Sequence, residues 1–220
     1  KKTIANYLRK YGAKVDVVVM DMSPSFKAAV NKALDRPVIV ADRFHFCRYI
    51  YWALDAVRRR VQSTWNDYDR KKCKKMRYVF YKDSGKLSDK DRWYLNRYCQ
   101  MSEELRAAYQ LKEKYCKWFQ QAKQNGLEKI QETKKGLYRF YELVEESGIP
   151  EFKRNIQTLK NWQTEILNSF VYGYSNGFLE GINNHTKVMK RNAFGFRNFR
   201  RSRARILLSH KYKEIGVHVG

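Results

Sequence analysis

Four residues in this chain have both the types and the sequence placement to do metal-assisted chemistry on a phosphate: Asp21, Asp42, His45 and Glu180. Asp21 follows the apolar run Val17-Val18-Val19-Met20, and Asp42 follows Val38-Ile39-Val40-Ala41. Each run is too short for a helix and rich in β-branched residues, as in a strand buried on both faces of an α/β sheet. Between them, Ser23 is expected to cap a helix with Pro24 at its first position, running to about Leu34 with Phe26, Ala29, Val30 and Ala33 inward. Strand, helix, strand reads as a right-handed βαβ unit, which places both acids on one edge of a parallel sheet, where open α/β folds put their sites. Close carboxylates in a positive field suit magnesium or manganese beside phosphates. The same two acids also suit a plainer role as helix caps. His45, in Arg43-Phe44-His45, is placed to orient a metal-bound carboxylate or meet a phosphate, or to be structural.

Glu180 is the lone acid in a long basic stretch, and no other Asp or Glu follows it until Glu214. Lys187, Lys190, Arg191, Arg197, Arg200, Arg201 and Arg203 lie after it and form the candidate DNA-contacting set. With residues 177–190 helical, Leu179, Ile182, Thr186 and Met189 make one stripe. Glu180, Asn184, Lys187 and Arg191 line a neighbouring face. A carboxylate so placed can bind a divalent metal beside a polyanion, or simply neutralise Lys187. Ser175 or Asn176 is expected to cap this helix.

The remaining elements must hold these residues in place. Residues 2–11 read as a helix with Ile4, Tyr7, Leu8 and Tyr11 on one side and Gly12 as its stop. The helix begun at Arg43 has Phe46, Ile50, Leu54, Val57 and Val61 as its stripe. From about Trp65 to Gly173 the strand signal disappears. Residues 66–90 are polar and lysine-rich, read as a mobile connection with a short helix near Met76–Tyr81. Three longer helices follow. The first is capped by Ser102 and ended by Asn125-Gly126; the second carries Leu127, Ile130, Leu137, Phe140, Tyr141 and Val144. The third starts at Pro150 and runs through Phe152, Ile156, Leu159, Trp162, Ile166 and Phe170.

The bulk numbers narrow the partner. Across 220 residues the formal net charge is +24, a self-repulsion for which a polyanion, most simply nucleic acid, is the usual compensation. The cations are spread along the chain, unlike a membrane-surface helix, and no apolar run reaches the roughly 18 residues of a membrane span. The four cysteines have no C-x-x-C pairing, which argues against a zinc module and for reduced thiols in a cytosolic or nuclear setting.

Three motifs, V-V-V-M-D-M-S-P-S-F, A-D-R-F-H-F and G-F-L-E-G-I-N-N-H-T-K-V-M-K-R-N-A-F-G-F-R-N-F, resemble the transposases of bacterial insertion sequences of the ISL-three type, in the DDE superfamily. The resemblance covers nearly the whole chain. It implies a ribonuclease-H-like α/β core with a large all-helical insertion before its final acid. It also implies two divalent ions, normally magnesium, that serve DNA cleavage and strand transfer. In such folds the first catalytic Asp sits on the first strand of a meander that precedes the first helix, and no such strands precede Val17 here. The resemblance therefore makes Asp21 and Glu180 the second and third acids and the metal ligands, with Asp42 and His45 in support and the first acid upstream of Lys1. The rival assignment takes Asp21, Asp42 and Glu180 as the whole triad.

The expected organisation has three parts: residues 1–64 as the first part of the core, 65–173 as the helical insertion, and 174–220 as the final core helices with a basic DNA-binding face. The implied partners are transposon ends and target DNA, with a homo-oligomer in the synaptic complex, no membrane, and a bacterial cytoplasmic, nucleoid-associated location. A non-catalytic basic nucleic-acid-binding module is the alternative, and dependence on a divalent metal separates the two.

Overall fold

A computed structural model describes residues 2–35 and 37–214. Its described residues are mostly helical around one small parallel sheet. The order is α1 (Lys2–Tyr11), β1 (Val17–Met20), α2 (Pro24–Ala33), β2 (Val38–Ala41), α3 (Arg43–Gln62), α4 (Asp67–Lys75) and α5 (Arg77–Tyr81). A 3-10 turn at Ser84–Lys86 leads to α6 (Asp89–Met101), α7 (Glu103–Asn125), α8 (Ile130–Ser147), α9 (Pro150–Asn161) and α10 (Gln163–Val171). Then come α11 (Gly177–Asn192) and α12 (Phe199–Glu214). The chain separates into two compact units, one running to Tyr174 and one starting at Ser175.

Both strands fall where the apolar runs place them. They pair in parallel with Val17 opposite Val38 and Met20 opposite Ala41. Val40 and Ala41 are fully buried, whereas Val17, Val18 and Val19 are only partly so. The difference follows from cover. The far edge of β2 meets α10, where the Asn168 side-chain amide donates to the Ile39 carbonyl at 2.8 Å. That bond satisfies a strand carbonyl without a third strand.

The core of the first unit is built on α3. Phe46, Ile50, Ala53, Leu54 and Val57 are wholly buried along one stripe, and α7, α8, α9 and α10 pack around them with Leu105, Ala108, Leu137, Val144, Phe152 and Leu159. Two long-range bonds fix the layers: Asn155 donates to the Tyr49 carbonyl at 2.9 Å, and Trp118 Nε1 donates to the Thr133 carbonyl at 2.9 Å. Gly136 lets that indole in, since a Cβ there would lie 2.8 Å from Trp118 Cδ1.

Several local expectations change. Residues 66–90 are largely ordered helix rather than a mobile connection: α4 is capped by Asn66, whose side chain accepts from the Asp69 N–H, and Cys73, Met76, Val79 and Phe80 are buried. The third long helix breaks at Trp162, whose φ of −116° and ψ of 15° lie off the helical values and separate α9 from α10. Leu127 sits in the turn before α8 and is 63% exposed. Phe26 is exposed as well, as are Tyr7 and Tyr11, because α1 and α2 bury narrower stripes centred on Ala5, Ala29 and Val30. Ser23 does not cap α2 with its side chain; its hydroxyl lies 3.2 Å from that of Ser25.

Candidate functional site

The parallel register decides where the first two acids sit. Met20 and Ala41 are paired, so Asp21 and Asp42, each one residue further on, leave the sheet at the same edge. The Asp42 N–H still donates to the Met20 carbonyl at 2.9 Å, which fixes the exit of β2 against that of β1. Asp42 then occupies the N-cap position of α3, and its main-chain carbonyl accepts from the N–H groups of His45 and Phe46. Its carboxylate makes no cap bond. It turns instead to His45, one helical turn on, with Oδ2 at 2.8 Å from Nδ1.

The same imidazole nitrogen lies 3.1 Å from Asp21 Oδ1. One ring atom thus stands between two carboxylates with different surroundings, since the Asp42 side chain is 6% exposed and that of Asp21 is 52% exposed. Arg43 anchors the first turn of α3 from the other side, donating to the Ser169 carbonyl at 2.5 Å and lying 5.2 Å from the Phe170 ring centroid. Burial draws its pKa below the usual arginine value, against the opposing pull of Cys47 and Asp42.

Asp21, Asp42 and His45 each offer one ligand atom, and these atoms all lie within 4.8 Å of one another. Two carboxylate oxygens suit hard cations such as magnesium and manganese. The donor set therefore fits a divalent ion. The cysteines stand apart from it: all four are free. Burial raises the Cys47 thiol to about 12 and those of Cys73 and Cys99 to about 11, which keeps them protonated.

Glu180 belongs to the second unit, in the first turn of α11, where its side chain is exposed. Asn176 precedes that helix without a side-chain cap bond. The expected stripe is only partly covered: Ile182, Thr186 and Met189 are half-buried, and Leu179 is 53% exposed. His185, between the stripe positions, lies with Nε2 2.7 Å from the Ser209 hydroxyl and ties α11 to α12. Lys187, Lys190 and Arg191 are exposed on α11, Arg197 on the turn, and Arg200, Arg201 and Arg203 on α12. That turn contains Phe194 and Gly195, both at positive φ, and Asn198, whose side chain accepts from the Arg200 N–H at 2.9 Å. The tie from His185 and the Asn198 cap were missed in the sequence, although asparagine one residue before an expected helix is a cap signal.

Residues 1–206 match the family model of the ISL3-type DDE transposases, described as transposase. The chain belongs to that family. It is 25% identical over 189 residues to the transposase for insertion sequence element IS1001 of Bordetella parapertussis, covering 84% of this chain and 45% of that protein. A second match, 43% identical over 63 residues, is to a protein of Lactococcus lactis subsp. lactis named ATP-dependent protease, covering 28% of this chain and 20% of that one. The chain thus spans less than half the length of either relative. No solved structure matches it.

Proposed function

We propose that this chain is part of the catalytic region of an insertion-sequence transposase, carrying out metal-dependent DNA cleavage and strand transfer. The observation that carries this is the His45 imidazole held between a buried carboxylate and an open one, at the carboxyl edge of two parallel strands. We take the sheet as part of a ribonuclease-H-like core, with residues 65–173 as its helical insertion.

The environments of the two acids divide their roles. Asp21 is open to solvent and is the proposed metal ligand, joined by Glu180 and by an acid elsewhere in the whole protein. Asp42 is buried, and an ionised carboxylate there needs a partner; it holds the ring, and the ring holds Asp21. His45 Nδ1 stands between the two carboxylates, at 2.8 Å from Asp42 and 3.1 Å from Asp21. Bound magnesium or manganese, as a pair of ions, would supply the Lewis acid that activates water and then a DNA 3′-hydroxyl. Lys187, Lys190, Arg191, Arg197, Arg200, Arg201 and Arg203 bind the DNA phosphates. Transposon ends and target DNA are the proposed partners, in a synaptic homo-oligomer.

The test is strand cleavage by the full-length parent protein with magnesium, beside DNA binding without it. Asp21→Asn and Glu180→Gln should each abolish cleavage and leave binding intact. Manganese binding to the 220-residue chain, followed by electron paramagnetic resonance, should weaken on Asp21→Asn. Unchanged cleavage in Asp21→Asn would leave the non-catalytic DNA-binding module as the better account.

A further inference from the structure

A cluster of cations in the first unit lies at the opposite end of α3 from Asp42. A cleft of about 590 Å³ opens between the last turns of α3 and the α4–α5 pair, lined by Arg58, Arg59, Arg70, Lys71, Lys74 and Arg77. Its cations are partly matched by two carboxylates. Asp55 takes Arg58 at 2.6 Å and Arg59 at 2.5 Å, and Asp67 takes Lys71 at 2.7 Å together with Arg70. Six cations against two acids leave an excess of four positive charges, and Lys74 and Arg77 have no ion pair among the described residues.

The floor of the cleft is built in advance. Arg58 is 3% exposed; its Nε and one terminal nitrogen donate to Asp55 and the other donates to Gln62 Oε1 at 2.7 Å. Beneath α4, Cys73 is wholly buried, which holds the helix against the core. Lys71 and Lys74 are therefore presented on one face, three residues apart, by a fixed helix. Small-molecule pockets of this size are lined mostly by hydrophobic and aromatic side chains, and this one is lined by cations with Gln62 and Ser63. No aromatic ring lines it, so it has no platform for an unstacked base. Exposed Lys and Arg without such a platform suit phosphates whose bases stay stacked away from the protein.

We propose that this cleft is a second phosphate-backbone track, which seats duplex DNA on the helical part of the first unit, in addition to the cations of α11 and α12. The helical stretch then grips DNA as well as packing the core. This rests on DNA being the partner and is independent of the metal chemistry.

The experiment measures binding of the 220-residue chain to a fluorescein-labelled, random-sequence duplex by anisotropy over a range of salt, without divalent metal. Lys71→Ala/Lys74→Ala/Arg77→Ala should flatten the plot of log affinity against log salt by about three and weaken low-salt binding at least ~tenfold. All three side chains are exposed, and a circular-dichroism melt reports whether the fold is kept. Lys74→Gln/Arg77→Gln, which changes no pair with Asp67, should flatten the slope by about two. The comparison is Lys129→Ala/Lys135→Ala/Arg139→Ala, which removes as much charge from α8 and the residue before it and should shift the slope far less. Equal effects of the two triple variants, or none from the first, overturn the cleft as a DNA track. Saturable binding of inorganic phosphate or ATP that the first variant abolishes, with duplex binding unchanged, would make it a small-anion site and also overturn the proposal. A chain that binds no duplex at all would fail the DNA partnership as a whole, whereas loss confined to α12 substitutions would fail the cleft alone.

Discussion

His45 Nδ1 carries at most one proton yet faces two carboxylates, at 2.8 and 3.1 Å. Removing the ring has two separable consequences. Asp42 loses the only side-chain partner described for its buried carboxylate, and an unsatisfied buried group costs about 1–3 kcal/mol. His45→Ala should therefore lower the melting temperature as well as slow cleavage by the full-length protein. Asp42→Asn keeps the volume and can still accept from the ring, so it should slow cleavage less than Asp21→Asn. Cleavage lost as completely in Asp42→Asn as in Asp21→Asn would instead make Asp42 a metal ligand and restore the triad of Asp21, Asp42 and Glu180. Much of this was legible beforehand, because both apolar runs stop at an acid and a D-x-x-H spacing at a helix start brings the two side chains onto one face. What the sequence left open was the choice between capping and chemistry. Asp42 holds the cap position while spending its carboxylate on His45, a decision made by the neighbouring strand end and not by local propensity.

Elements carried their own signals unevenly. The strands were legible because four-residue β-branched runs bounded by polar residues leave little alternative, and Ser102 caps α7 as its position suggested, accepting from the Leu105 N–H at 3.1 Å. In the α4–α5 segment, α5 matches the short helix expected near Met76–Tyr81, whereas α4 was hidden. Among its lysines and acids, Cys73 is the one buried apolar residue, and a single residue makes no stripe. Gly136 shows what a helix interior can conceal. A glycine there costs roughly 1 kcal/mol in propensity, and the space it leaves is taken by Trp118. Gly136→Val should lower stability by about 2 kcal/mol through overpacking despite the better propensity, read as a shifted urea midpoint with an unchanged slope. A rise in stability would show that α7 and α8 can part at no cost. On α12, Arg200→Ala/Arg201→Ala/Arg203→Ala should weaken DNA binding about equally for all sequences and flatten the salt slope. Loss confined to one sequence would assign these arginines to base reading.

At the scale of the molecule, charge and core are divided differently along the chain. Carboxylates of the first unit are tied to arginines: the hydrogen bond from Arg60 holds Glu151 below the usual carboxylate range, and Arg58 does the same for Asp55 against the opposing effect of burial. Groups depressed in the folded state stabilise it above their unfolded values, near pH 4, and that contribution is lost as pH falls through the folded values. Stability should thus be level at neutral pH and decline below about pH 4. A flat acid profile in thermal melts would show that these pairs are replaced by solvent at no loss. Among the described residues the core, by contrast, lies in the first unit, where the last buried apolar residue is Phe170. Among the described residues of the second unit none is buried, and its helices are joined by half-buried contacts and the bond between His185 and Ser209. Burial of apolar surface is the main source of cooperative stability. A chain ending at Tyr174 should therefore keep a single cooperative transition within a few degrees of that of the 220-residue chain. It should also keep the part of the DNA salt slope contributed by Lys71, Lys74 and Arg77 while losing the part contributed by α11 and α12. Loss of cooperative unfolding in the truncated chain would mean that residues after Ser175 help hold the α3 core, a coupling that the separation into two units does not anticipate.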